Sequence, residues 1–147
     1  MTEKHDRSIL CHIFVDHITL PVRDYAVSRR FYEVALRPLG LVLVLDWPDG
    51  RKAWFGVEGA ASLLWMCESQ AAGTLELALA ADRPEAVEAF HTAALRAGAR
   101  SEWGPSIRPE FDRRYLAARV RDPDGNSIEA VYRGAVAAIE TPQFAAA

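Results

Sequence analysis

The stretch Ala117–Tyr132, AARVRDPDGNSIEAVY, decides how the rest of the chain is read. Two runs of strand-forming residues flank Asp122-Pro123-Asp124-Gly125-Asn126. Pro123 presets φ for a turn and Gly125 supplies the left-handed residue a hairpin return needs, so Tyr115–Tyr132 is expected to be a β-hairpin. On the returning strand side chains alternate, which puts Ser127, Glu129 and Val131 on one face and Ile128, Ala130 and Tyr132 on the other. Glu129 therefore sits mid-strand among apolar neighbours. A carboxylate there has to be solvated, paired or bound to a cation, because burying it alone is costly. Taken by itself, such a glutamate reads as half-exposed on a wet face.

Working outward, the run CHIFVDHITLPV (11–22) reads as a strand, with His17 and Thr19 on one face and Ile18 and Leu20 on the other. His12 and His17 fall on opposite faces, and Cys11 is about 20 Å from His17 along an extended strand, so Cys11, His12, Asp16 and His17 form no metal cluster. Asp24 is a candidate N-cap for a helix from Tyr25 to Leu36, whose apolar stripe is read as Val27, Phe31 and Val34/Ala35. Strands follow at 41–47, 52–57 and 62–68, separated by Pro48-Asp49-Gly50 and Glu58-Gly59-Ala60. A strand at 73–81 leads to a helix opened by Pro84, striped by Val87, Phe90 and Ala94 and stopped by Gly98. A short strand over Arg100–Trp103 and an irregular loop over 104–113 precede the hairpin. Residues 1–10 read as a loosely held leader, and the alanine-rich end from Ala135 as a docked or fraying helix.

The order strand, helix, strand, strand, strand thus occurs twice, which suggests an internal duplication. Aligning SLLWMC with SIEAVY gives an offset of 127 − 62 = 65, and aligning HITLPV with ELALAA gives 76 − 17 = 59. In this register His17 corresponds to Glu76 and Leu64 to Glu129. By the same parity Leu64 and Met66 are expected to face a cavity and Trp65 the helix layer. The expected architecture is one α+β domain over 11–133, with unit one at about 11–68, unit two at about 73–133 and a tail at 134–147. A ferredoxin-like βαββαβ fold needs two strands between its helices, and three are counted here before the second unit opens.

At 147 residues, half hydrophobic and a quarter charged, with a formal net charge of −3, the chain has an ordinary soluble-domain composition. No Lys/Arg cluster marks a nucleic-acid surface. No apolar run approaches the roughly 20 residues of a membrane span, and the opening MTEKHDRSIL is too charged for a signal peptide, which together point to the cytoplasm. The two cysteines, Cys11 and Cys67, are too isolated for a disulfide framework.

DHITLPVRDYAVSRRFYEVAL (16–36), LELALAADRPEAVEAFHTAALRAGA (75–99) and above all RVRDPDGNSIEAVYR (119–133) resemble the vicinal oxygen chelate superfamily, which includes glyoxalases, bleomycin-resistance proteins and extradiol dioxygenases. The resemblance implies paired βαβββ units forming a curved, half-open barrel around a divalent cation. Carried over by position, its metal ligands fall on His17, Leu64, Glu76 and Glu129. Leu64 cannot bind a metal, and Glu76 stands where histidine is common in the related branch. That leaves His17, Glu76 and Glu129 as the implied ligands, with Glu129 and Glu76 as catalytic carboxylates.

One imidazole and two carboxylates leave coordination positions open for a substrate with adjacent oxygens, and suit Mn²⁺, Mg²⁺ or Fe²⁺, with Ni²⁺ and Zn²⁺ also admissible. Without a cation, two neighbouring carboxylates repel and share a proton. Arg108, Arg113 and Tyr115, in the loop before the last hairpin, are the candidates for substrate contacts, against the ordinary reading of a charged surface loop. The four tryptophans read as packing rather than stacking platforms, and His91 as partly exposed. Two functions follow from the resemblance. One is a metal-dependent lyase, isomerase or dioxygenase acting on a small oxygenated molecule. The other is a protein that sequesters an antibiotic or metabolite without chemistry. The topology permits sheet pairing within one chain or between two, so a homodimer belongs to either reading.

Overall fold

A computed structural model of the chain describes residues 16–59, 62–70 and 73–134. In order along the chain it contains β1 (Ile18–Val22), α1 (Tyr25–Ala35), a 3₁₀ turn (Arg37–Leu39), β2 (Val42–Trp47), β3 (Lys52–Gly56) and β4 (Ser62–Glu68). The second unit follows as β5 (Glu76–Ala80), α2 (Pro84–Arg96), β6 (Arg100–Ile107), β7 (Leu116–Arg121) and β8 (Ser127–Tyr132). Each unit makes a four-stranded sheet of the same order, β1-β4-β3-β2 and β5-β8-β7-β6, with the first and last strands parallel and the others antiparallel. These are the two expected βαβββ units. The part of the first strand before Asp16, the leader and the alanine-rich end lie outside the described residues.

The hairpin turn forms for the local reasons its residues suggest. Asp122 accepts from the backbone N–H groups of Asp124 and Asn126 at 2.9 and 2.7 Å, and Gly125 takes φ +88°. The Tyr32 hydroxyl donates to Asp122 Oδ2 at 2.5 Å, and Asp124 accepts from Arg23 N–H and Ser28 Oγ, both at 3.0 Å. The turn of unit two is thereby fastened to the first helix of unit one. Asp24 caps α1, as expected, by accepting from Val27 N–H at 3.0 Å.

One face of each sheet packs on the helices. Leu20, Val22, Phe55, Leu64 and Met66 of the first sheet and Leu77, Val120 and Ile128 of the second share one core with Phe31, Tyr32 and Phe90. Three sequence expectations change here. The buried stripe of α1 is Tyr25, Ser28, Phe31, Tyr32 and Ala35, while Val27 and Val34 are 50% and 43% exposed. Turning the helix this way buries two adjacent aromatic rings in place of two valines, the larger apolar gain. β6 runs on to Ile107 rather than ending at Trp103, and Pro105 is tolerated there because β6 is an edge strand.

The third correction bears on the site. Leu64 and Met66 are completely buried against the helices, so it is Trp65 that lies on the opposite, open face. The parallel ladders pair Ile18 with Leu64 and Leu77 with Ile128, which gives an offset of 128 − 64 = 64, one residue from the expected value. A shift of one residue in a strand reverses every side chain. The position equivalent to Glu129 is Trp65, not Leu64.

Candidate functional site

The open face of the second sheet carries Glu76 from β5, Arg119 from β7 and Glu129 from β8. The antiparallel register places Arg119 directly opposite Glu129, and the parallel one sets Glu129 beside Ala78, two residues on from Glu76. Glu129 is 1% exposed. Arg119 Nη2 lies 2.7 Å from Glu129 Oε2 and 2.6 Å from Glu76 Oε1, and its Nε donates to Glu129 Oε2 at 3.1 Å. The Tyr115 hydroxyl donates to the other Glu129 oxygen, Oε1, at 2.8 Å. Both oxygens of the buried carboxylate are therefore satisfied, which is the condition for its burial.

A second acid–base pair extends the cluster. Glu102 accepts from Arg121 Nε at 2.6 Å and from Ser127 Oγ at 2.9 Å, and its Oε2 is 4.0 Å from Arg119 Nε. Burial acts to raise the Glu102 carboxyl, but the Ser127 and Arg121 contacts outweigh it and hold it below its ordinary value. Burial likewise acts to lower the Arg119 guanidinium, yet the hydrogen bond to Glu129 and the charges of Glu129, Glu76 and Glu102 keep it above its usual range. Tyr115 is raised by burial first and then by its bond to the Glu129 charge. Arg119 thus remains a cation and Tyr115 a neutral donor at any physiological pH.

Of the residues expected from sequence, Glu76, Glu129 and Tyr115 come together here. Arg108 stacks over Trp103, 4.5 Å from the ring centre, with Nε 2.8 Å from Glu110 Oε1. Arg119 lies 5.3 Å from the same ring centre, so Trp103 supports two guanidinium groups. Arg113 is exposed, and among the described residues no carboxylate is paired with it. His17 immediately precedes β1 of the first sheet. Its ring stacks on Trp65 at 3.5 Å between centres, Trp65 stacks on Trp54 at 4.7 Å, and Nδ1 is 2.7 Å from Asp16 Oδ1. Against the packing expectation, all four tryptophans form platforms, Trp54 and Trp65 for each other, Trp103 for Arg108 and Arg119, and Trp47 for Lys52.

Arg119 is the residue that sequence reasoning passed over. The signal was present: closing the hairpin on Asp122–Asn126 places Arg119 opposite Glu129 by counting outward from the turn. Because of Arg119, the two glutamates do not face each other bare. A divalent ion does not fit the donor set as one chain presents it, since a guanidinium already lies between the carboxylates. Nor do three His, Cys, Asp or Glu side chains among the described residues converge as a metal site would require.

Among the described residues, two recesses open on these faces. One, of about 270 Å³, lies along β5 and β8 beside Tyr115. The other, of about 230 Å³, lies between Thr19, Lys52, Trp54 and Trp65 on the first sheet. No helix among the described residues is long and apolar enough to cross a membrane.

The family model of the Glyoxalase/Bleomycin resistance protein/Dioxygenase superfamily matches residues 14–130. The chain belongs to that superfamily. Its resemblance to a glyoxalase/bleomycin resistance protein from Albidiferax ferrireducens T118 extends over 81% of this chain and 98% of the other, at 29% identity and a TM-score of 0.68. A glyoxalase-related enzyme from Fulvimarina pelagi is 22% identical, with a TM-score of 0.61 over 80% of this chain and 86% of its own. Lactoylglutathione lyase from Agrobacterium tumefaciens is 21% identical, with a TM-score of 0.59 over 80% and 92%. The last two show the shared superfamily fold alone. No curated protein sequence matches the chain significantly.

Proposed function

We propose that this superfamily member binds and sequesters a small organic molecule on its open sheet faces, with Arg119 serving as the resident cation in place of a divalent metal. The observation that supports this reading is the position of the Arg119 guanidinium, within 2.7 Å of both Glu76 and Glu129. A carboxylate pair already bridged by a fixed cation has little electrostatic demand for a second one, and adding two positive charges next to a guanidinium is repulsive. Glu129 then serves to orient Tyr115 and Arg119, while Arg108, Arg113 and Tyr115 offer polar contacts at the rim. A homodimer is compatible with this arrangement, because each chain leaves both open faces uncovered by its own helices.

A metal-dependent lyase, isomerase or oxygenase draws on one contrary observation. His17 Nδ1 is hydrogen-bonded to the Asp16 carboxylate at 2.7 Å, the outer-shell contact that commonly leaves a histidine's Nε2 ready for a metal. In that reading a second copy brings its His17 to Glu76 and Glu129, which remain the acid/base candidates, and Arg119 swings away.

The deciding experiment is elemental mass spectrometry of full-length protein purified without chelator, followed by calorimetric titration with Mn²⁺, Fe²⁺, Ni²⁺ and Zn²⁺. Substoichiometric metal and no saturable heat are expected. Stoichiometric metal in the wild type that is lost in Glu129→Ala would sink the metal-free reading and select the enzyme.

A further inference from the structure

The recess of about 270 Å³ on the second sheet has a composition that specifies its ligand. Its floor exists because β5 carries Ala78 and Ala80 on the open face, where larger side chains would fill the space. Val131 of β8 continues this apolar surface, and the buried ring of Tyr115 forms a wall. At the mouth stands Arg133, its guanidinium 4.7 Å from the centre of the Tyr115 ring.

The arginines around this recess differ in their partners. Arg108 has Glu110, Arg119 has Glu76 and Glu129, and Arg121 has Glu102. Among the described residues no carboxylate lies within ion-pair distance of Arg133. Asp112 feels the Arg133 charge, but its carboxylate accepts from the Arg114 N–H at 2.8 Å. Glu129 accepts from the Tyr115 hydroxyl on one oxygen and is paired on the other with Arg119, which it shares with Glu76. An apolar hollow whose mouth carries a guanidinium with no ion-pair partner among the described residues is complementary to an apolar body bearing one anionic group. The volume falls just under the range of drug-sized sites, roughly 300–1,000 Å³, so the body is a single ring or a short branched chain.

We propose that this recess binds a small organic monocarboxylic acid, its apolar part on Ala78, Ala80 and Val131 and its carboxylate held by Arg133. The proposal rests on the small-molecule-binding reading above and gives it a ligand class. The anchor lies beyond the hairpin strand and outside the resemblance-derived site residues. A planar guanidinium suits a carboxylate because it donates two parallel hydrogen bonds, which also fixes the orientation of the body.

The test uses the full chain, titrated with benzoate, isovalerate and the neutral isostere benzamide, followed by amide chemical shifts and calorimetry. Three proteins are compared: wild type, Arg133→Gln and Ala80→Leu. Ala80 is exposed and faces away from the core, so Ala80→Leu fills the recess without repacking the fold, and a thermal melt confirms this. Expected is saturable binding of at least one acid, with shifts at Ala78, Ala80 and Tyr115. Affinity should fall roughly tenfold or more in Arg133→Gln and for benzamide, and be lost in Ala80→Leu. Equal binding of benzoate and benzamide, or full affinity in Arg133→Gln, overturns the acid class. So does the absence of saturable binding by either acid. None of these results bears on metal content, which alone decides against the metal-free reading, so the two failures are distinguishable.

Discussion

Arg119 and Glu129 stand directly opposite each other on β7 and β8, and the guanidinium that neutralises the buried Glu129 carboxylate at 2.7 Å also reaches Glu76 at 2.6 Å. A single side chain therefore bridges the two carboxylates at the centre of the open face. Glu129 is 1% exposed while the Arg119 side chain is 21% exposed, so the pair is a buried anion closed by a partly exposed cation.

Removing the cation alone leaves that anion stranded. Arg119→Leu should lose about 3 kcal/mol of unfolding free energy, the low end for a broken buried pair because the guanidinium is partly solvated. Adding Glu129→Leu to the same chain should restore much of the loss. Urea denaturation of the two single variants and the double variant gives the coupling, and a coupling near zero would mean that Arg119 does not serve Glu129 in solution.

The residue shift in β4 makes an opposing pair of outcomes. Leu64 is completely buried between the first sheet and the helices, so Leu64→Glu should cost about 4 kcal/mol or more and leave little cooperative thermal unfolding. Trp65→Glu places its carboxylate on the open face near His17 and should remain folded with the lesser loss of the stacked rings. Melts monitored by circular dichroism separate the two. The reverse ranking would restore the register in which Leu64 faces the cavity.

Asp122 accepts four hydrogen bonds, three from its own turn (Asp124 N–H, Asn126 N–H and Asn126 Nδ2) and one across the units from the Tyr32 hydroxyl. Tyr32→Phe removes one of these and should cost about 1–2 kcal/mol, whereas Asp122→Ala should cost about 3 kcal/mol because all four donors lose their acceptor. Equilibrium denaturation measures both. If the variants are equally mild, the turn is not a fastening point.

Three of the four tyrosines should titrate late. Burial and then the Asp46 contact push Tyr25 up to about 12, burial and Asp122 raise Tyr32 well above its ordinary value, and burial and Glu129 raise Tyr115. Between a phenol's usual value of about 10 and these higher ones, the native state keeps protons that the unfolded chain has lost. The stability they contribute is whole below pH 10 and declines as pH rises through the folded values. Phenolate absorbance should show Tyr25, Tyr32 and Tyr115 ionising late, with the Tyr115 step moving down in Glu129→Gln.

Much of the fold is legible from local chemistry. Asp122-Pro123-Asp124-Gly125-Asn126 encodes its own hairpin, since the capping carboxylate, the preset φ and the positive-φ glycine all act within five residues. Asp24 and Pro84 mark the helix starts in the same way, and the repeated element order yields both units. Arg119 was readable too, by counting outward from the turn to its partner across the hairpin.

Other features belong to the tertiary structure. Whether Trp65 or Leu64 faces outward depends on which side of the sheet receives the helices, a choice that the short apolar run SLLWMCE does not encode because both of its faces are hydrophobic. Likewise, the larger burial of Phe31 and Tyr32, rather than helical period alone, rotates α1 away from Val27 and Val34. The separation of His17 from Glu76 and Glu129 follows because two units of matching order form two distinct sheets, each with its own open face. Sequence by itself thus determined the order of the elements, the duplicated units and most of the polar residues offered as site candidates. Tertiary structure decided which of those residues meet, because a salt bridge, a recess or a shared face depends on register and packing between strands far apart in the chain.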